Sequence, residues 1–207
     1  MAEQATLSDA DRARIRQAVA AAEAKTSGEI FTVVTRESDD YRFIPILWAT
    51  LIALVVPLPL IFLTLLPASL IFLIQLAAFV ILALAFSHPA IRPAVVPPGV
   101  KHGAARSLAV QQFLAHGLHT TEARTGVLIF VSLAEHHAEI IADASIAAKV
   151  DEAVWRAAMD RLIAEIRAGR LAEGLIAAIE STGAVLARYF PPRSNDRNEL
   201  PNDLVVL

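Results

Sequence analysis

The chain has 207 residues, with 18 basic and 21 acidic side chains and a formal net charge of −3. That near balance, without a basic tract, excludes a nucleic-acid-binding surface of the usual kind. Cysteine is absent, which excludes disulfides and thiolate chemistry, and the length suits one domain with a smaller insertion.

Ser8 followed by Asp9 and Asp11 predicts a helix start, because acidic groups are favoured at the positive end of the helix dipole. Ile15, Ala18, Val19 and Ala22 recur at helical spacing, Lys25 falls in the last turn and Gly28 ends the element. Glu29–Thr35 is rich in β-branched and aromatic residues and reads as a strand, followed by the charged link Arg36–Asp40. The first forty residues are polar and helix-prone, which does not describe a signal peptide.

From Phe43 to Phe86 there is no charged residue. The run is about 44 residues long, against the roughly 20 that one membrane-spanning helix needs, so it predicts two spans of about 23 and 18 residues. Leu66–Ser69, where Pro67 meets a small polar residue, is the expected turn; Pro57 and Pro59 are expected to kink the first span, a turn there being the second choice. Gln75, the strongly polar side chain of the second span, is expected to bond the partner helix. Arg36 and Arg42 precede the first span and Arg92, Lys101 and Arg106 follow the second, whereas the turn has no basic residue. The positive-inside rule then places both flanks in the cytoplasm. The expected location is a bacterial-type inner (cytoplasmic) membrane, multi-pass, with the globular domain on the cytoplasmic side.

Pro89, Pro93, Pro97 and Pro98 predict a stiff, non-helical connector. A second amphipathic helix is expected with Val110, Phe113, Leu114, Gly117 and Leu118 on one side. Val127–Ser132 is a short apolar run typical of a strand buried on both faces, and Glu135–His137 leads to its hairpin partner, Glu139–Ala142. Asp151 is placed as an N-cap, with Val150 and Trp155 as a hydrophobic staple. Val154, Ala158, Leu162 and Ile166 mark the face of that helix and Gly169 its end. A last helix carries Leu171, Leu175, Ile179, Leu186 and Phe190. Leu204–Leu207 reads equally as an edge strand or a loose end after a polar tail. The first strand precedes the apolar run and its partners follow it, so residues 1–42 and 102–192 form two parts of one domain. Residues 43–87 are then an inserted hairpin, 88–101 a Pro-rich connector and 193–207 a polar tail.

Thr125–Val131, the polar turn, Glu139–Asp143 and Ile146 resemble the core of the TPM domain family. Gly169–Leu171, Glu173–Leu175 and Ile179 resemble its C-terminal part. The resemblance implies a small α/β/α sandwich, here interrupted by a two-helix transmembrane hairpin, and phosphatase-like activity with ion binding in some members. Family members commonly have a glycine-bearing loop followed by an acidic residue. Here Asp143 stands where glycine is common and Asp151 matches the acidic position. Without glycines, backbone amides are less free to cradle an anion.

Two sets of residues are candidate metal ligands. Asp143 and Asp151 flank the family loop and suit a hard divalent cation, calcium or magnesium, which takes several oxygen ligands. His116, His119 and Glu122 follow at three-residue steps on the expected helix, and imidazole with carboxylate suits a divalent metal. His136 and His137 read as exposed turn residues, and Arg124 as a surface arginine that an acidic group could meet. No phosphate-binding Gly-rich loop, nucleophile elbow or paired zinc motif is present. The expected function is a membrane-anchored interaction or assembly module for membrane proteins, with a metal-assisted phosphatase-like hydrolase as the alternative. The expected partners are the lipid bilayer, a membrane protein and a second copy of the chain.

Overall fold

The two β-branched runs on either side of the apolar stretch pair with each other. The computed structural model describes residues 7–193 and 198–207, so residues 1–6 and part of the expected tail, 194–197, lie outside the described residues. The elements run α1 (Asp9–Glu23), β1 (Glu29–Thr35), α2 (Phe43–Val55), α3 (Pro57–Leu63), α4 (Ala68–Ser87), α5 (Arg92–Val95) and α6 (Pro98–Ala115). Then come β2 (Gly126–Ser132), β3 (His137–Ala142), α7 (Ala144–Ala147), α8 (Glu152–Arg167), α9 (Leu171–Tyr189) and β4 (Val205–Val206). They divide into two compact units, residues 39–101 and the remainder of the chain.

In the larger unit β1 lies parallel to β2, with Phe31 beside Leu128 and Val33 beside Phe130. β3 returns antiparallel to β2, and β4 adds parallel to β1, giving the order β3-β2-β1-β4. The fold is mixed α/β, as the alternation of helices and strands leads one to expect. The period-2 geometry of a strand sends its side chains to two faces. Ile30, Val34, Val127, Ile129 and Val131 share one core with buried residues of α1, α8 and α9. Phe31, Val33, Leu128 and Phe130 share a second core with Ala105, Ala109 and Phe113 of α6.

Local chemistry explains several boundaries. Ser8 and Asp11 form a capping box at the start of α1, the Ser8 hydroxyl accepting from the Asp11 amide at 3.1 Å. Asp151 caps α8 as expected, accepting from the Ala153 amide at 2.8 Å. Other expectations need correction. The buried stripe of α6 is Ala105, Ala109 and Phe113, and Leu114 is 52% exposed. Two alanines let the helix backbone approach a sheet face already filled by Phe31 and Phe130. In α8 the buried side chains are Trp155, Met159 and Leu162, while Val154 points outward. The connector is not free of helix: α5 lies within it and α6 begins at Pro98, a position where the missing N–H costs nothing. The end of the chain is not loose, since Val205 and Val206 pair with Val33 and Val34. Before them, Arg16 meets Asp203 at 2.5 Å.

The smaller unit contains two helical stretches long and apolar enough to cross a membrane, Phe43–Leu63 with 21 residues and Ala68–Ser87 with 20. Val56 keeps helical dihedrals between α2 and α3, so Pro57 interrupts the hydrogen-bond ladder without turning the chain back. The turn falls at Thr64–Pro67, just before the expected place. Ala49 and Ala53 are buried, whereas Phe62, Leu63 and Leu65 are almost fully exposed. The Trp48 indole donates to the Val95 carbonyl at 3.0 Å and the Lys101 ammonium to that of Pro93 at 2.6 Å.

Candidate functional site

Asp143 closes β3 and opens α7. Its Oδ1 accepts from the Ala144 amide at 2.6 Å, and the side chain is only 7% exposed. Its Oδ2 is buried without a hydrogen bond, and the Arg124 guanidinium lies 3.9 Å away. That distance is too long for a hydrogen bond but short enough for a useful Coulomb attraction. Arg124 itself sits at φ +57° and donates to the His119 carbonyl at 2.6 Å. Asp143 is therefore a helix cap faced by a cation, and Asp151 is a cap at the start of the next long helix.

A hard divalent cation takes six to eight oxygens, roughly speaking, or an octahedron of carboxylates and waters. Among the described residues, no three His, Asp or Glu side chains come together closely enough to hold one. At Asp143 a guanidinium already occupies the positive position. Asp143 and Asp151 by themselves supply too few oxygens to hold calcium or magnesium.

His116, His119 and Glu122 do not share a helix. Gly117 adopts φ +70° and ends α6, a left-handed conformation that glycine takes without steric cost. His116 packs its ring 4.4 Å from that of Phe31. His119 falls in a 3-10 turn, Leu118–Thr120, with Nδ1 buried and unpartnered. Glu122 follows in the loop, where its amide donates to the Glu199 carboxylate.

A different polar group forms between α6 and β3. Arg106 donates to Glu139 Oε1 at 2.7 Å, His137 Nε2 stands 3.0 Å from Glu139 Oε2, and the rings of His102 and His137 are 5.4 Å apart. Next to it Ser132, fully buried, meets the Glu135 carboxylate and accepts from the Ser38 hydroxyl at 2.8 Å. The Ser38 amide also donates to Glu135 Oε1 at 3.1 Å. Both groups lie around the C-terminal ends of parallel β1 and β2, the end of an α/β sheet where ligands usually bind. Yet Glu139 is engaged by Arg106, and the Ser132 hydroxyl is sealed from solvent. The arrangement fastens α6 and the chain after β1 to the β2–β3 hairpin, with the Ser132 hydroxyl held against the Glu135 carboxylate inside the protein.

The sequence reading missed these groups because they join residues far apart in the chain. One signal was available: His102 and Arg106 are four apart on a helix and so share a face, as His137 and Glu139 share a strand face. His137 begins β3; only His136, at φ +49°, remains in the turn.

Residues 94–185 match the family model of the TPM domain. Over that segment the chain is similar to the TPM domain. A solved structure is also similar to it: the NMR structure of BA42 protein from the psychrophilic bacterium Bizionia argentinensis, at 20% identity and a TM-score of 0.63, covering the whole of both chains. At that identity the likeness is one of fold. No curated protein matches the sequence. The matched segment contains β2, β3 and most of α9, whereas β1 and α1 of the same compact unit precede it.

Proposed function

We propose that the apolar hairpin crosses a membrane twice and holds the TPM domain on the cytoplasmic side, where it serves as an interaction or assembly module for membrane proteins. The observation that carries this reading is the outward-facing apolar surface of α2 to α4. Phe62, Leu63, Leu73, Ile81 and Leu84 are all more than half exposed, and α4 buries none of its side chains. A patch of that extent facing water would be far larger than soluble monomers expose, whereas lipid covers it without cost. Arg36, Arg42, Arg92 and Lys101 flank the two stretches, and Thr64–Pro67 between them has no basic residue. That asymmetry favours the cytoplasm for the flanks, and two spans return the chain to the side it left.

The preference for a binding role over a phosphatase-like hydrolase rests on the carboxylates. Asp143 and Asp151 are occupied as helix caps, and the buried Ser132 cannot meet a substrate. Membranes from cells expressing the chain, washed with alkaline carbonate, test the anchorage. Retention in the pellet is expected, with release once residues 43–87 are replaced by a short Gly-Ser link. Release of the intact chain by carbonate would overturn the reading.

A further inference from the structure

Gln75 is the only amide or charged side chain on α4. It lines a cleft of about 180 Å³ between α2 and α4, together with Thr50, Ala53, Leu54, Phe72, Leu76 and Phe79. Thr50 is the only other polar residue there, and its hydroxyl hydrogen is used on the Ile46 carbonyl at 2.8 Å. The Gln75 amide meets no hydrogen-bonding partner among the described residues. A primary amide carries two donors and an acceptor oxygen, and leaving them unpaired in hydrocarbon is costly. Gln75 and Thr50 are the two polar side chains of the cleft, so a trapped water would find no more than the minimum of about two partners and would leave part of the amide unpaired.

We propose that α4 of a second copy docks at this cleft, the two Gln75 amides hydrogen-bonding each other in a homodimer within the bilayer. The inference rests on the membrane reading above. Every copy enters the membrane with the same sidedness, so a two-fold axis along the bilayer normal brings Gln75 of both copies to one depth. An amide is its own complement, donor to acceptor, which is what an isologous interface requires. Phe72 and Leu76 flank Gln75 on α4 and are about half exposed or more, which supplies apolar packing around the polar pair. Side-chain amides are known to join helices in lipid in this way.

The chain has no cysteine, so a single label site is clean. Full-length protein carrying Ser181→Cys is labelled with donor and acceptor dyes and reconstituted in phosphatidylcholine vesicles over a range of protein-to-lipid ratios. Energy transfer should fall on dilution, and Gln75→Leu should need about tenfold higher density for half-maximal transfer. Leucine suits a lipid-facing site, so insertion is not compromised by the substitution. Transfer unaffected by Gln75→Leu, or no transfer at any density, overturns the dimer and leaves lipid or another protein at the cleft. Carbonate extraction of the same vesicles separates the two ideas. Release of the chain refutes the membrane reading itself, whereas a retained but monomeric chain refutes only the dimer.

Discussion

Gly183 on α9 faces Ala22 on α1 with no room for a side chain between them: a Cβ added at Gly183 would lie 2.6 Å from that of Ala22. α1 comes before the apolar hairpin and α9 after it, so this contact joins the two parts of the domain directly. Gly183→Ala should cost about 1–3 kcal/mol, the usual range for overpacking. Ala22→Gly should recover part of that loss, as contacting residues couple in a double-mutant cycle. Denaturant unfolding of the detergent-solubilised chain gives both numbers. Independent, additive effects would show that α1 does not dock where the fold places it.

Gly126 opens β2 under the turn at Leu118, and a Cβ there would stand 2.4 Å from the Leu118 carbonyl oxygen. A backbone atom cannot swing aside as a side-chain tip does. Gly126→Ala should therefore sit at the upper end of the overpacking range, about 2–3 kcal/mol. The alanine variant should unfold at lower denaturant concentration with an unchanged slope. A midpoint equal to that of the parent chain would contradict the close approach.

What could be read from the sequence followed from local chemistry. β1 and β2 were legible because their β-branched runs are buried on both faces, and the caps at Ser8 and Asp151 because a cap is a matter of neighbouring residues. The apolar hairpin announced itself by length. The face of α6 was misread because Val110 and Leu114 outrank alanine in hydropathy, while close approach to Phe31 and Phe130 selects Ala105 and Ala109. The histidine and glutamate steps at 116, 119 and 122 failed because one glycine ended the helix beneath them. The Arg106–Glu139 pair and the β4 pairing depend on contacts between distant segments, which periodicity does not encode.

Two partly exposed carboxylates should shape the acid limb of stability. The hydrogen bond from Ser8 and the nearby Arg14 hold the Asp11 carboxyl below its ordinary value. The 2.6 Å bond from Arg170 does the same for Glu165. A carboxyl lowered in the folded chain contributes stability that is fully present above its unfolded value. That contribution is lost as pH falls through the lower folded value. Glu165→Gln should thus lose a little stability at about pH 7 and show a shallower decline into acid, with both effects shrinking at high salt. An unchanged acid slope would contradict the Arg170 contact.

Asp143 and Asp151 should prove structural. Asp151→Ala removes the cap of α8 and should cost about 1 kcal/mol of stability. The solubilised chain, given a generic phosphate ester with added calcium or magnesium, should show no turnover above background. Turnover that disappears in both Asp143→Ala and Asp151→Ala would instead make these residues catalytic.

The proposed hairpin, spanning the membrane from within a cytoplasmic domain, is open to a direct test of sidedness. Cysteines introduced one at a time at Gln17, Ser69 and Ser181, all exposed positions, can be treated in intact cells with a membrane-impermeant thiol reagent. Gln17 lies on α1 before the hairpin, Ser69 beside its turn and Ser181 on α9 after it. With the domain on the cytoplasmic side, only the cysteine at position 69 should react until the cells are opened, after which 17 and 181 should react as well. Labelling at 17 or 181 in intact cells, with 69 protected, would contradict it.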